Sequence, residues 1–124
     1  MEDRYLFKAK CFEEWHIGNI VKEPDGLYIR DIKENVMAYI DDESTICQCT
    51  GLKDKNGKLI WENDIVKHDF GKEQIGVQLA IVKYDSKYAC YQIKPIFGWM
   101  YCDKSDCEVI GNIFDNPELL EVGE

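Results

Sequence analysis

Six cysteines and two histidines are the residues best equipped to do chemistry: Cys11, Cys47, Cys49, Cys90, Cys102, Cys107, His16 and His68. Thiolates and imidazoles are the usual protein ligands of zinc, with paired cysteines about two to four residues apart. Cys47-x-Cys49 is too short for a standard zinc knuckle, because alternate strand residues point the same way and strain two-ligand chelation. The spacing of Cys102 and Cys107 is slightly long, although the intervening Asp103–Asp106 stretch is able to loop between them. Cys47, Cys49, Cys102 and Cys107 are therefore the candidate zinc ligands. The plainer reading is that the thiols pack as small hydrophobes and that the chain uses no cofactor. Neither histidine is followed by a Ser or Cys in a nucleophile motif, so both read as hydrogen-bonded structural residues.

Two further groups have chemical potential. Glu62 and Asp64, two residues apart, resemble a metal or general-base pair, but Asp64 follows a turn residue and is expected to accept backbone N–H groups. Phe97-Gly98-Trp99-Met100-Tyr101 carries more bulk than one strand can turn inward. Phe97, Trp99 and Tyr101 are thus the candidate partner-binding surface. Neither a GxGxxG run nor a phosphate-binding P-loop is present. No residue stands out as catalytic.

Charge narrows the partner. The 124-residue chain carries 24 acidic and 15 basic residues, a net −9. Proteins bind nucleic acid by displacing its counterions with Lys and Arg, so this balance argues against double-stranded DNA. Stacking of single-stranded nucleic acid on the aromatics would lack its basic groove. A protein partner, or a second copy of the chain, fits better. No apolar run reaches the ~20 residues needed to span a bilayer. The acidic start of the sequence lacks the basic-then-apolar order of a secretion signal, so a cytoplasmic location with reduced thiols is expected.

These residues must be positioned by strands. Tyr5, Phe7, Ala9 and Cys11 alternate with Leu6, Lys8 and Lys10, and Trp15–Val21 forms a weaker run. Pro24-Asp25-Gly26 is turn chemistry, followed by strands over 27–30 and 36–40. Asn56-Gly57 predicts a type I′ hairpin, which needs positive φ at both residues. Glu62-Asn63-Asp64 is a second tight turn, with Asn63 suited to the left-handed region. Residues 75–94 read as a hairpin with a phase shift at Val82–Tyr84 that suggests a bulge. Asn116 and Pro117 open a single C-terminal helical turn. The expectation is one mainly β domain, a strongly bent antiparallel sheet or small barrel, with N-terminal strands over 1–45 and a barrel-like portion over 46–124.

The run Thr50–Val66, TGLKDKNGKLIWENDIV, closely resembles the central motif of the YopX family, TGLKDKNGKEIYEGDIV. Val109–Leu120 resembles that family's C-terminal motif, and Phe7-Lys8-Ala9-Lys10 its opening strand. The resemblance implies a β-rich protein encoded by phages and prophages, in the bacterial host's cytoplasm, with no assigned activity. Asn63 stands where the family usually has glycine. Within the two motifs, Asn56, Gly57, Asn63, Asp64, Gly111, Asn112 and Pro117 read as structural turn residues. The function expected is a non-catalytic, macromolecule-binding accessory protein that self-associates or binds a protein. Small metal-dependent or nucleic-acid-directed enzymes, and single-stranded nucleic-acid binding, are the alternatives.

Overall fold

The computed structural model describes residues 5–69, 77–87, 90–95 and 107–120. They form two antiparallel sheets, and the chain divides into two compact units, Met1–Gly51 and Leu52–Glu124.

In the first unit, β1 (Phe7–Cys11), β2 (Glu14–Glu23), β3 (Gly26–Asp31) and β4 (Met37–Tyr39) follow one another as a meander. The start of β5 (Cys47–Lys53) pairs with the free side of β1, giving the order β4-β3-β2-β1-β5. The alternation seen in the sequence sorts the side chains. Ala9 and Cys11 of β1 are buried, as are Ile29 of β3 and Ile40 beyond β4, with Ile20, Leu27, Ala38 and Ile46 packed around them. Full burial of a side chain such as Ile29 contributes about 1.5–3 kcal/mol. The Pro24–Asp25 loop sets the β2–β3 register from Glu23 against Gly26 to Gly18 against Asp31. That register needs glycine at 18, because a Cβ there would lie 1.7 Å from the Arg30 carbonyl oxygen. The 3-10 turn Glu43–Thr45, capped by the Asp42 side chain, leads into β5.

The second unit holds β6 (Leu59–Trp61), β7 (Asp64–Asp69), β8 (Val77–Asp85), β9 (Cys90–Pro95) and β10 (Cys107–Asn112). Its four-stranded sheet has the order β10-β7-β8-β9. Ile60, Val66, Ala80, Val82, Ile93 and Cys107 form its core. The 3-10 turn Pro117–Leu120 supplies the expected helical turn after β10.

Three expectations change. Among the described residues the sheets are open and no barrel closes. Alternating strands serve open sheets and barrels equally, and closure depends on stagger that a pattern does not encode. The β8–β9 register runs without a shift through Val82 and Tyr84, whereas β10 is bulged between Val109 and Gly111. The Asn56-Gly57 turn is not type I′: Gly57 has φ +83°, but Asn56 is not left-handed. Gly57 donates to the Asp54 carbonyl at 3.0 Å and Asp54 to the Lys58 carbonyl at 2.8 Å. This is the longer hairpin in which a type I turn ends on a left-handed glycine. The Asp54 carboxylate decides it, accepting the N–H groups of Asn56 and Lys58, each at 2.9 Å. No helix of the described residues is long and apolar enough to cross a membrane.

Candidate functional site

β2 turns His16 inward, opposite Ala9, while its neighbours Glu14 and Ile17 stay exposed. Asp31 ends β3 and is likewise buried. Its Oδ1 accepts the N–H groups of Lys33 at 2.8 Å and Glu34 at 2.9 Å, an aspartate-centred turn. Asn35, at φ +56°, then reverses the chain, and Asp31 N donates to the Val36 carbonyl at 2.8 Å. The turn is thus wound around the Asp31 carboxylate and leaves Glu34 beside it.

The second oxygen of Asp31 faces His16 Nδ1 at 2.8 Å. The Glu34 N–H holds the Asp31 carboxyl below the ordinary carboxylate range; burial opposes this, and the His16 ring and the Lys33 N–H reinforce it. An ionised carboxylate only accepts hydrogen bonds, so His16 Nδ1 carries the proton. In the neutral ring, Nε2 is then the basic nitrogen. Its one ionic neighbour among the described residues is Glu14 Oε1 at 3.9 Å, beyond hydrogen-bond length. Glu14, Trp15, His16, Ile17, Asp31, Lys33 and Glu34 line a cleft of about 430 Å³. Ligand atoms of His16, Asp31 and Glu34 all lie within 4.8 Å of one another.

A carboxylate on one imidazole nitrogen fixes the ring and raises the basicity of the other. The same arrangement serves metal-ligating histidines and general bases. The sequence reading missed it by treating His16 as isolated. The usable signal was the Pro24–Asp25 loop, whose register brings the residues before β2's midpoint against the end of β3.

The same end of β2 begins in an unusual turn. Cys11 pairs with Glu14, so Phe12 and Glu13 alone make the β1–β2 loop, with φ +52° and +77°. Positive φ at both residues is the type I′ pattern that the sequence had suggested for Asn56-Gly57. The Phe12 ring is 68% exposed, and its centroid lies 6.4 Å from that of Tyr39. Tyr39 meets Tyr28 edge-on at 5.4 Å, and Tyr28 Oη donates to Asp25 Oδ2 at 2.8 Å. The Phe12 N–H donates to Asp41 Oδ1 at 2.7 Å.

The YopX protein family pattern matches residues 11–121. The chain belongs to the YopX family. No curated protein sequence matches it.

The two YopX-like motifs meet in the second unit. Asp54 Oδ2 accepts the Val109 N–H at 2.8 Å, Lys55 N donates to the Cys107 carbonyl at 3.0 Å, and Ile113 N to the Asn63 carbonyl at 3.1 Å. Asn63 holds φ +71°, and Lys83 Nζ donates to its Oδ1 at 2.7 Å. Asp64 Oδ2 accepts the Trp61 N–H at 2.8 Å. Asn112 Oδ1 accepts from Phe114 and Asp115, each at 2.9 Å, and Gly111 packs against the Asn116 side chain that precedes Pro117.

The remaining candidates fall elsewhere. Cys47 and Cys49 are buried in β5, where Cys47 Sγ bonds the Thr45 carbonyl at 3.3 Å and Gly51 N bonds Cys49 Sγ at 3.5 Å. Cys107 Sγ lies 3.3 Å from His68 Nδ1, both buried. Among the described residues, no cysteine joins a group of three potential metal ligands. Cys102, Phe97, Trp99 and Tyr101 lie outside the described residues.

Proposed function

We propose that this YopX-family chain is a non-catalytic accessory protein of phages and prophages, working in the host cytoplasm, that binds a basic protein segment through its β1–β2 hairpin tip. The observation carrying this reading is Phe12, a bulky residue 68% exposed at φ +52°. Left-handed backbone costs an ordinary residue about 1–2 kcal/mol, and such outliers concentrate at functional sites. Asn-Gly would close the same turn without that cost. Retaining Phe12-Glu13 there holds an aromatic ring in water beside Tyr39 and Tyr28.

The surroundings select the partner. Glu13 follows Phe12, Asp41 binds its N–H and Asp25 binds Tyr28. These carboxylates repel phosphate, which speaks against single-stranded nucleic acid, and attract Lys or Arg, whose charge also favours aromatic faces. The net −9 agrees in sign. A second copy of the chain is the competing protein occupant.

The test places a photoreactive phenylalanine at position 12 and, as a control, at exposed Tyr84 in the second unit. In host cells, position 12 should capture one basic protein and position 84 should not. The purified pair should then bind at least about tenfold more weakly in Phe12→Ser. Equal capture at both positions, a self-adduct alone, or unchanged affinity in Phe12→Ser removes the reading. A small metal-dependent or nucleic-acid-directed enzyme is the second reading, favoured by the His16–Asp31 cleft. Its nucleic-acid-directed form predicts retention on an oligonucleotide resin, and none is expected.

A further inference from the structure

We propose that His16, Asp31 and Glu34 form a binding site for one divalent transition-metal cation of the zinc class, with Glu14 at its rim. This site begins just after the hairpin tip on β2, and its ion is held without the tip's partner.

The cluster contains more than acidity. His16 is 8% exposed, lines the cleft, and leaves Nε2 without a hydrogen bond among the described residues. A cation here takes the place of the proton that His16 Nδ1 shares with Asp31 Oδ2, and the ring carries its remaining proton on Nε2. Glu14, Asp31 and Glu34 bring three carboxylates to the same cleft, against Lys33 as the one cation of its lining. A bound cation would relieve their mutual repulsion and take the imidazole lone pair together.

The distances suit a small ion. Zinc binds nitrogen and oxygen at about 2.0–2.2 Å, so its donors sit roughly 3–4 Å from one another. His16 Nδ1 and Asp31 Oδ2 are 2.8 Å apart, and the three donor atoms span at most 4.8 Å. Only exposed Glu34 has to swing inward, and its backbone is already pinned by Asp31. Donor type chooses the ion. One imidazole with carboxylates suits zinc, manganese, cobalt or nickel, whereas magnesium and calcium favour oxygen alone and copper(I) favours sulfur.

The full chain, stripped with a chelator and kept reduced, is titrated with cobalt(II) and then zinc. The cysteines give this experiment its discrimination, since thiolate ligation adds a sulfur-to-cobalt charge-transfer band in the near ultraviolet. The expected result is one equivalent of cobalt with visible ligand-field bands and no sulfur band, displaced by one equivalent of zinc and not by magnesium or calcium. Glu34→Ala and His16→Gln should each weaken zinc binding by at least about tenfold, the smaller effect seen even for outer-sphere partners. Glu34 is exposed, so its variant keeps the fold and the test survives if His16→Gln does not. A cobalt spectrum dominated by sulfur, calcium binding as tight as zinc, no binding, or full affinity in Glu34→Ala would each overturn the site.

Discussion

Asp31 in the first unit and Asp54 in the second are the same device finished in two ways. Each is a buried aspartate whose Oδ1 accepts two N–H groups of the turn that follows it. Each is held below the ordinary carboxylate range. Their second oxygens differ. Asp54 Oδ2 accepts the Val109 N–H, 55 residues away, and closes a wholly backbone set of bonds. Asp31 Oδ2 meets a side chain, His16, whose far nitrogen opens on a cleft. One carboxylate is used up by architecture, and the other passes its charge to a group that is still available. The family's central motif therefore contains the clamp, while the carboxylate–imidazole pair that opens on a cleft lies outside it.

Replacing each carboxylate with its isosteric amide should separate the two. In Asp54→Asn, the amide NH2 must face the Val109 N–H, donor against donor in a buried place. A loss of about 3 kcal/mol is expected, as for an unsatisfied group that had been charge-assisted. Urea unfolding at neutral pH measures it, and a loss under about 1 kcal/mol would mean that the clamp is solvated. Burial alone would raise the Asp54 carboxyl; the N–H groups of Val109, Lys58 and Asn56 outweigh it and lower it. A lowered folded value contributes stability that is present above the unfolded value, near 3.9, and lost as pH falls through the folded one. The gap between the native chain and Asp54→Asn should accordingly narrow below about pH 4. A gap that is constant down to pH 2 would contradict the assignment.

Asp31→Asn should cost less, about 1 kcal/mol. Here the new NH2 faces an imidazole nitrogen, and His16 can change tautomer so that Nδ1 accepts. The proton then sits on Nε2, the nitrogen toward the cleft. Nitrogen NMR of the ring should report that exchange, with metal affinity falling alongside it. An unchanged tautomer, or a stability loss as large as in Asp54→Asn, would make the two aspartates alike.

Much of this architecture was legible because it is local. Alternation placed β1 and β2, turn chemistry and a short apolar run placed β3 and β4, and Asn63 and Asp64 could be read as a turn from their side-chain chemistry. The parts that escaped depend on what is brought from a distance. The Asn56-Gly57 turn takes its type from the Asp54 carboxylate, which outcompetes the intrinsic type I′ preference of the pair. The bulge sits in β10, where Gly111 accommodates Asn116, and not at the irregular Val82–Tyr84 pattern. His16 looked inert because its partner lies across a hairpin, and histidine reveals its role only through what each nitrogen touches. The type I′ turn at Phe12-Glu13 has no sequence signal at all, since neither residue favours positive φ.

That last turn offers the smallest and most discriminating change. Phe12→Asn with Glu13→Gly supplies the residues that the β1–β2 loop geometry prefers. Relief of two left-handed residues should raise stability by about 1–2 kcal/mol, less whatever the Phe12–Tyr39 contact contributes. The His16–Asp31 pair, further along β2, should keep its metal affinity. Binding of the basic partner should fall, because the exposed ring is gone. Unfolding curves, zinc titration and partner affinity on one variant therefore read the tip and the cleft separately. A variant that gains stability while keeping partner affinity would show that the strain at Phe12 serves no recognition. A variant that loses zinc as well would show that the turn and the start of β2 act as one site.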